Sequence, residues 1–199
     1  LQVEVADRMG YRDQKGRRGV ELFMQDYFRH ETKVGVLTRI LLTSLEADHT
    51  KDAPLLERIF RRKPKMREEY EVINGRLAVK NPDAYYADKL NLLRIFEEGL
   101  RTGLLIHPSE MRMVSASLDC IDDDMRTNPE AQRIFLDLLL KHGNPERALR
   151  RMNELGVLAA FIPEFDPIVA MMQFNMYHSY TVDERTIQAI KSLAQIERA

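Results

Sequence analysis

Three adjacent carboxylates, Asp122-Asp123-Asp124, and five scattered histidines are the side chains of this sequence best suited to metal chemistry. Consecutive residues on a helix point about 100° apart, so three neighbouring acids cannot converge on one ion without unwinding it. They read as a solvated helix end. The histidines, His30, His49, His107, His142 and His178, include no pair at helical ligand spacing. His30 falls on an apolar stripe with no second ligand type one turn away, which is the pattern of a core-edge histidine bonded to backbone. No glycine-rich phosphate loop follows a strand, and neither CxxC nor HExxH occurs. The single cysteine, Cys120, lies in a helical pattern and cannot make an internal disulfide, so a reducing cytoplasm fits best. The densest basic run, Glu57 to Arg67, could contact phosphates, although such runs are more often a solvated helix end and linker. These residue types and spacings define no reaction.

The elements that carry them read as helix after helix. Hydrophobic residues are 44% of 199 and charged residues 31%, enough apolar material for a core and no signature of disorder. A net charge of −1 provides no global field for nucleic acid or an anionic membrane. No apolar run approaches the roughly 20 residues that span a bilayer, and the start at Leu1 has no basic n-region or cleavage site. That first residue, not a methionine, suggests that a longer parent was cut. A short helix over Leu1–Met9 stops at Gly10, and a basic loop follows to Gly19. Val20, Phe23, Tyr27, Val34, Leu37, Leu41 and Leu45 then mark one long amphipathic helix, interrupted by Gly35. Tyr70–Ile73 and Arg76–Val79 alternate around Asn74-Gly75, the strongest short hairpin signal.

Asn81-Pro82-Asp83 opens a helix expected to run through Leu90, Leu93 and Leu100 to Gly103. Pro108 opens another that carries Met111, Val114, Leu118 and Ile121, and Asn128-Pro129 and Asn144-Pro145 repeat the start signal. Thr181 to Glu184 is a capping-box pattern at the head of a last helix with Ile187, Ile190 and Leu193. The expected fold is mainly α, a helical bundle with one small β-hairpin near residues 70–79.

Three stretches carry a resemblance. Met171 to Glu184 (MMQFNMYHSYTVDE) resembles the segment leading into the HD phosphohydrolase domain of bacterial PII uridylyltransferase/uridylyl-removing enzymes. Met152 to Leu158, with Phe161 to Phe165, resembles the end of that family's central helical domain, and Val20 to Phe28 its beginning. The resemblance covers nearly the whole chain in the right order. It implies a cytoplasmic, bifunctional parent that transfers UMP from UTP to a tyrosine of the PII signalling protein and hydrolyses it off, according to glutamine. Mg or Mn is expected in the parent, and no cofactor or metal in this part. The implied organisation is a remnant at 1–17 after an absent nucleotidyltransferase domain, a central helical domain at 18–166, and a truncated lead-in to the HD domain at 167–199.

The sequence departs from that pattern. It has no Gly-Ser segment followed by paired acids and no His-Asp pair, so no catalytic residue of either activity is expected. Where the family places its first HD-type histidine stands Arg185, which stays protonated and cannot be an ordinary metal ligand. His178 is the one histidine near the implied phosphohydrolase pocket, or a helix-lead residue bonded to backbone. Ala87 to Arg94 is similar to the neck motif of tRNA-end-adding enzymes, in which an acid and an arginine three residues later read the base; here the second position is Asn91. Asp88, Asn91 and Arg94 are therefore the candidates to face the nucleotide base. Local capping by Asp88 and plain exposure of Asn91 are the alternative. The competing functions are an RNA-binding arm like those of tRNA-end-adding enzymes and poly(A) polymerases, against which the charge balance argues, and a structural spacer.

Overall fold

The computed structural model describes residues 1–49, 65–171 and 180–196. It is mainly α, with one small sheet. Helix α1 (Gln2–Arg8) ends ahead of Gly10, whose φ of +84° turns the chain back. A loop leads into α2 (Gly19–His49). Gly19 is required there, because a Cβ would lie 2.7 Å from the Tyr11 carbonyl oxygen. Asp13 Oδ1 accepts the Gly19 N–H at 2.7 Å and Glu21 Oε2 accepts the Arg18 N–H at 2.9 Å, so carboxylates cover the donors at this helix start.

The hairpin forms as expected. Strand β1 (Tyr70–Ile73) pairs antiparallel with β2 (Arg76–Val79), Tyr70 opposite Val79, around Asn74 and Gly75 at φ +50° and +74°. A third strand, β3 (Leu105–Ile106), joins β2 in parallel and gives the order β1-β2-β3. Two residues are too few to show strand periodicity in a sequence.

The helix expected from Asn81 to Gly103 is two helices. Helix α3 (Pro82–Tyr86) is capped by Asn81, α4 (Asn91–Thr102) ends at Gly103 with φ +73°, and residues 87–90 turn between them. Side chains cause the break: Asn91 Nδ2 donates to the Tyr85 carbonyl at 2.6 Å and Asp88 Oδ1 accepts the Leu90 N–H at 3.0 Å. Short polar side chains compete with the helix for backbone partners in this way. Helix α5 (Pro108–Ala116) also stops early, and a 3₁₀ turn over Leu118–Cys120 leads to α6 (Asp123–Thr127). The acid triplet is thus a helix start and not a helix end, with Asp122 accepting the Met125 N–H at 2.9 Å. Negative charge is favourable at that end of a helix. Next come α7 (Pro129–Leu140), capped by Asn128, then α8 (Pro145–Glu154), α9 (Val157–Phe161) and α10 (Val182–Ile196).

The core is built around α4. Leu92, Leu93, Ile95 and Phe96 are buried with Ile134 and Leu138 of α7, Leu149 and Met152 of α8, and Leu77 and Val79 of the sheet. Each such side chain contributes about 1.5–3 kcal/mol relative to exposure. Helix α10 joins the same core through Ile187, which is fully buried. It is tied to α8 by Arg150–Glu184 at 2.7 Å, Lys191–Glu146 at 3.2 Å and Asn153–Asp183 at 2.8 Å. Glu184, expected to reach back to Thr181 in a capping box, is held by Arg150. The last helix therefore docks on the bundle.

Helix α2 departs most from expectation. Val36 and Ile40 face the core, whereas Tyr27, Val34, Leu37, Leu41 and Leu45 of the expected stripe are exposed; only its start is covered, with Val20 buried and Phe23 packed beside it in a small second cluster. His30 is exposed too, and its Nδ1 lies 2.7 Å from the Asp26 carbonyl, the backbone partner expected of it. The other end of the helix is pinned by Gln25, which is buried. Gln25 donates to the carbonyls of Pro167 and Val169 at 3.0 and 2.9 Å and accepts from Arg17 at 2.7 Å.

Candidate functional site

The break between α3 and α4 brings the three base-facing candidates together. Arg94 Nη1 donates to Asp88 Oδ2 at 2.6 Å and to Asn91 Oδ1 at 3.0 Å, so one guanidinium nitrogen is shared by the acid and the amide. Asp88 lies in the turn and not on the helix, and the geometry is set by this bond and not by a shared helix face. Its side chain is 48% exposed and that of Arg94 26%. Asn91 is half-buried, with its amide nitrogen taken by Tyr85 and its oxygen by Arg94. Its role in the fold is to aim Arg94.

Helices α6 and α7 complete a polar rim around this point. Arg94 Nη2 is 3.7 Å from Glu130 Oε1, and Glu130 is paired with Arg133 at 2.7 Å. Arg133 holds the Glu130 carboxyl below the usual carboxylate range, aided by Arg94. Lys89 Nζ sits 2.7 and 2.9 Å from the two oxygens of Asp122. That ammonium, together with the Met125 amide, keeps the Asp122 carboxyl low. Arg126 pairs with Asp123 and donates to the Ala160 and Ile121 carbonyls, which fixes α6 against α9. The rim presents both signs of charge, and the acids are shared out among lysine and arginine partners. Among the described residues no group of three His, Cys, Asp or Glu side chains could hold a metal ion.

Behind the rim lies a buried polar layer that sequence reasoning missed. The hydroxyls of Tyr70 and Tyr85 are hydrogen-bonded to each other, and Tyr86 donates to Glu110 at 2.8 Å. Burial pushes the Tyr70 phenol up to about 12, and burial with the neighbouring Glu110 raises that of Tyr86. These phenols stay protonated as donors. Glu97 and Glu98 of α4 are also buried: Glu97 faces Arg67 at 3.2 Å, and Glu98 accepts from Arg101 Nε at 2.9 Å and from the Arg67 N–H at 3.3 Å. The sequence signal was present but ambiguous, since Glu97-Glu98 interrupts an apolar face whose partner Arg67 lies thirty residues upstream. Of the basic run, Lys65 to Arg67 are described. Arg67 is spent on the two glutamates, and the rest of the run and His178 lie outside the described residues.

Residues 70–161 match the family model described as "Uridylyltransferase GlnD third domain", and residues 1–42 match "GlnD PII-uridylyltransferase". The chain is 74% identical over 198 residues to a protein of Ruegeria pomeroyi named bifunctional uridylyltransferase/uridylyl-removing enzyme, covering all of this chain and 22% of that protein. A protein of the same name from Cereibacter sphaeroides is 68% identical over 198 residues, with 21% of it covered. The chain thus spans about a fifth of the length of these curated relatives. No solved structure matches. No helix among the described residues is long and apolar enough to cross a membrane.

Proposed function

Since this chain belongs to the family of bifunctional uridylyltransferase/uridylyl-removing enzymes, we propose that it is a helical region that positions substrate for chemistry carried out elsewhere in a longer protein. The parent transfers UMP from UTP to the PII signalling protein and removes it again, with Mg or Mn at its reacting centres and glutamine as regulator. Residues 18–166 form the positioning domain, and the segment from Pro167 leads into the domain that removes UMP.

The observation that carries this reading is the convergence of Asp88, Asn91 and Arg94 at the start of α4. Uracil presents one N–H between two carbonyl oxygens. The half-exposed Asp88 carboxylate accepts that N–H, and Arg94 donates to a flanking carbonyl. Asn91 acts through Arg94, as a positioning residue. Cytosine replaces the N–H with an acceptor and would set it against the Asp88 carboxylate. Rejection of such a mismatch is large when a buried polar group is left unpaired, and smaller at a half-exposed site like this one. The test is Asn91→Ala in the full-length protein, assayed with UTP and CTP. The expected result is a higher KM for UTP or a smaller preference over CTP, and unchanged kinetics with both nucleotides would remove the assignment.

A further inference from the structure

Helix α2 has two apolar faces, and the described fold uses one. Val36 and Ile40 pack on the core, and Arg39 is tied to Glu154 of α8 at 3.6 Å. On the opposite side Tyr27, Val34, Leu37, Leu41 and Leu45 fall within one stripe at helical spacing, with exposures of 52, 62, 65, 59 and 46%. Together they present on the order of 500 Å² of apolar surface, the size at which a patch on a monomer marks an interaction site.

We infer that the outer face of α2, from Tyr27 to Leu45, is an intramolecular docking surface for another part of the longer protein. This rests on the reading that the chain is one region of a larger enzyme, and the length of the relatives supplies the occupant: about four-fifths of each lies outside the stretch this chain matches. The area favours a tethered partner over a second copy. Two such faces would bury about 1,000 Å² in total, at the lower edge of stable interfaces between separate proteins. A partner on the same polypeptide is held at high effective concentration, and so needs less area. The chemistry of the occupant follows from the stripe: a largely apolar face that must also accommodate the exposed His30, which lies within it between Tyr27 and Val34. The exposed Glu31 and Lys33 beside the stripe carry opposite charges, so the rim has no basic excess to attract an anionic lipid surface.

The experiment places a thiol in the stripe, Leu37→Cys, in both the full-length protein and the 199-residue chain. Maleimide labelling at that position is quantified by peptide mass, with the urea-unfolded protein as the reference for an open thiol. Labelling at least tenfold slower in the folded full-length protein than in the 199-residue chain is expected. Equal rates in the two proteins overturn the inference. So does protection within the 199-residue chain, whether concentration-dependent, which indicates a second copy, or concentration-independent, which indicates cover from its own residues. UMP transfer and removal are measured on the same full-length preparation. Their absence counts against the functional reading, while the labelling contrast alone decides the docking surface.

Discussion

Replacing Glu98 with glutamine changes one buried atom and should unfold this chain more readily than any exposed charge change. The Glu98 side chain is fully buried and serves Arg101 Nε at 2.9 Å, Arg101 Nη2, and the Arg67 N–H at 3.3 Å. The glutamine carbonyl can keep one of these donors, but its amide nitrogen then turns a donor toward the remaining N–H groups. One or two charge-assisted hydrogen bonds are lost, each worth about 1.5–3 kcal/mol. Arg67 and Arg101 are 43% and 31% exposed, so both guanidinium groups can turn to water. That relief keeps the loss below the full 3–5 kcal/mol of a stranded buried charge, at about 2–4 kcal/mol. In a chain of 199 residues each kcal/mol lowers the midpoint by about 2–4 °C, so Tm should fall by roughly 4–16 °C. Thermal and urea unfolding measure this, with Glu130→Gln as the comparison, whose solvent-screened pair should lower the midpoint far less. The Glu98 effect should persist at high salt, because a buried pair is screened little. A Glu98→Gln protein within about 0.5 kcal/mol of the parent would refute the argument that this carboxylate anchors the Lys65–Arg67 segment.

Three further outcomes follow. His107 Nδ1 accepts the Ser109 N–H at 3.2 Å as the cap of α5, and burial lowers its pKa from 6.5, with Glu110 opposing and Arg76 assisting. The neutral ring is the one that caps, so its contribution is fully present above pH 6.5 and is lost as pH falls through the depressed folded value; His107→Asn should flatten that slope in unfolding curves taken from pH 7 to 5. Gly156→Ala should cost about 1–3 kcal/mol in urea unfolding, because φ is +84° and the added Cβ would stand 2.9 Å from Leu118 Cδ1. The isolated 199-residue chain, incubated with PII, UTP and Mg or Mn, should show neither UMP transfer nor removal, and turnover that survives repurification would contradict the reading that the chemistry lies elsewhere.

What the sequence made legible was what local rules decide. Asn-Pro starts at 81, 128 and 144 and the Asn74-Gly75 turn each lie where expected, because a cap or a turn is settled by a few adjacent residues. The break at residues 87–90 was hidden because apolar spacing continues across it, while the decisive bonds run from Asn91 and Asp88 to backbone. Strand β3 exists because β2 offers an edge, a fact of tertiary structure. Helix α2 shows the limit of amphipathicity: periodicity identified its apolar stripe but not which of its two faces the described core takes. At the candidate site, the resemblance of Ala87 to Arg94 to a neck motif pointed to Asp88, Asn91 and Arg94, whereas the layer behind them, Tyr70, Tyr85, Tyr86 and Glu110, is assembled from three elements and left no single motif.

The account stands most directly on Arg94. In the full-length enzyme, UMP transfer and UMP removal should respond differently to Arg94→Ala, because the guanidinium is assigned to UTP alone. Loss of one hydrogen bond from a charged group to the base, about 1.5–3 kcal/mol, lowers kcat/KM for UTP by roughly 10- to 150-fold. Removal of UMP from modified PII should stay within about twofold of the parent enzyme, which also shows that the variant is folded. Transfer unchanged in Arg94→Ala, or transfer and removal lost together, would contradict the assignment of this region as the element that positions the nucleotide.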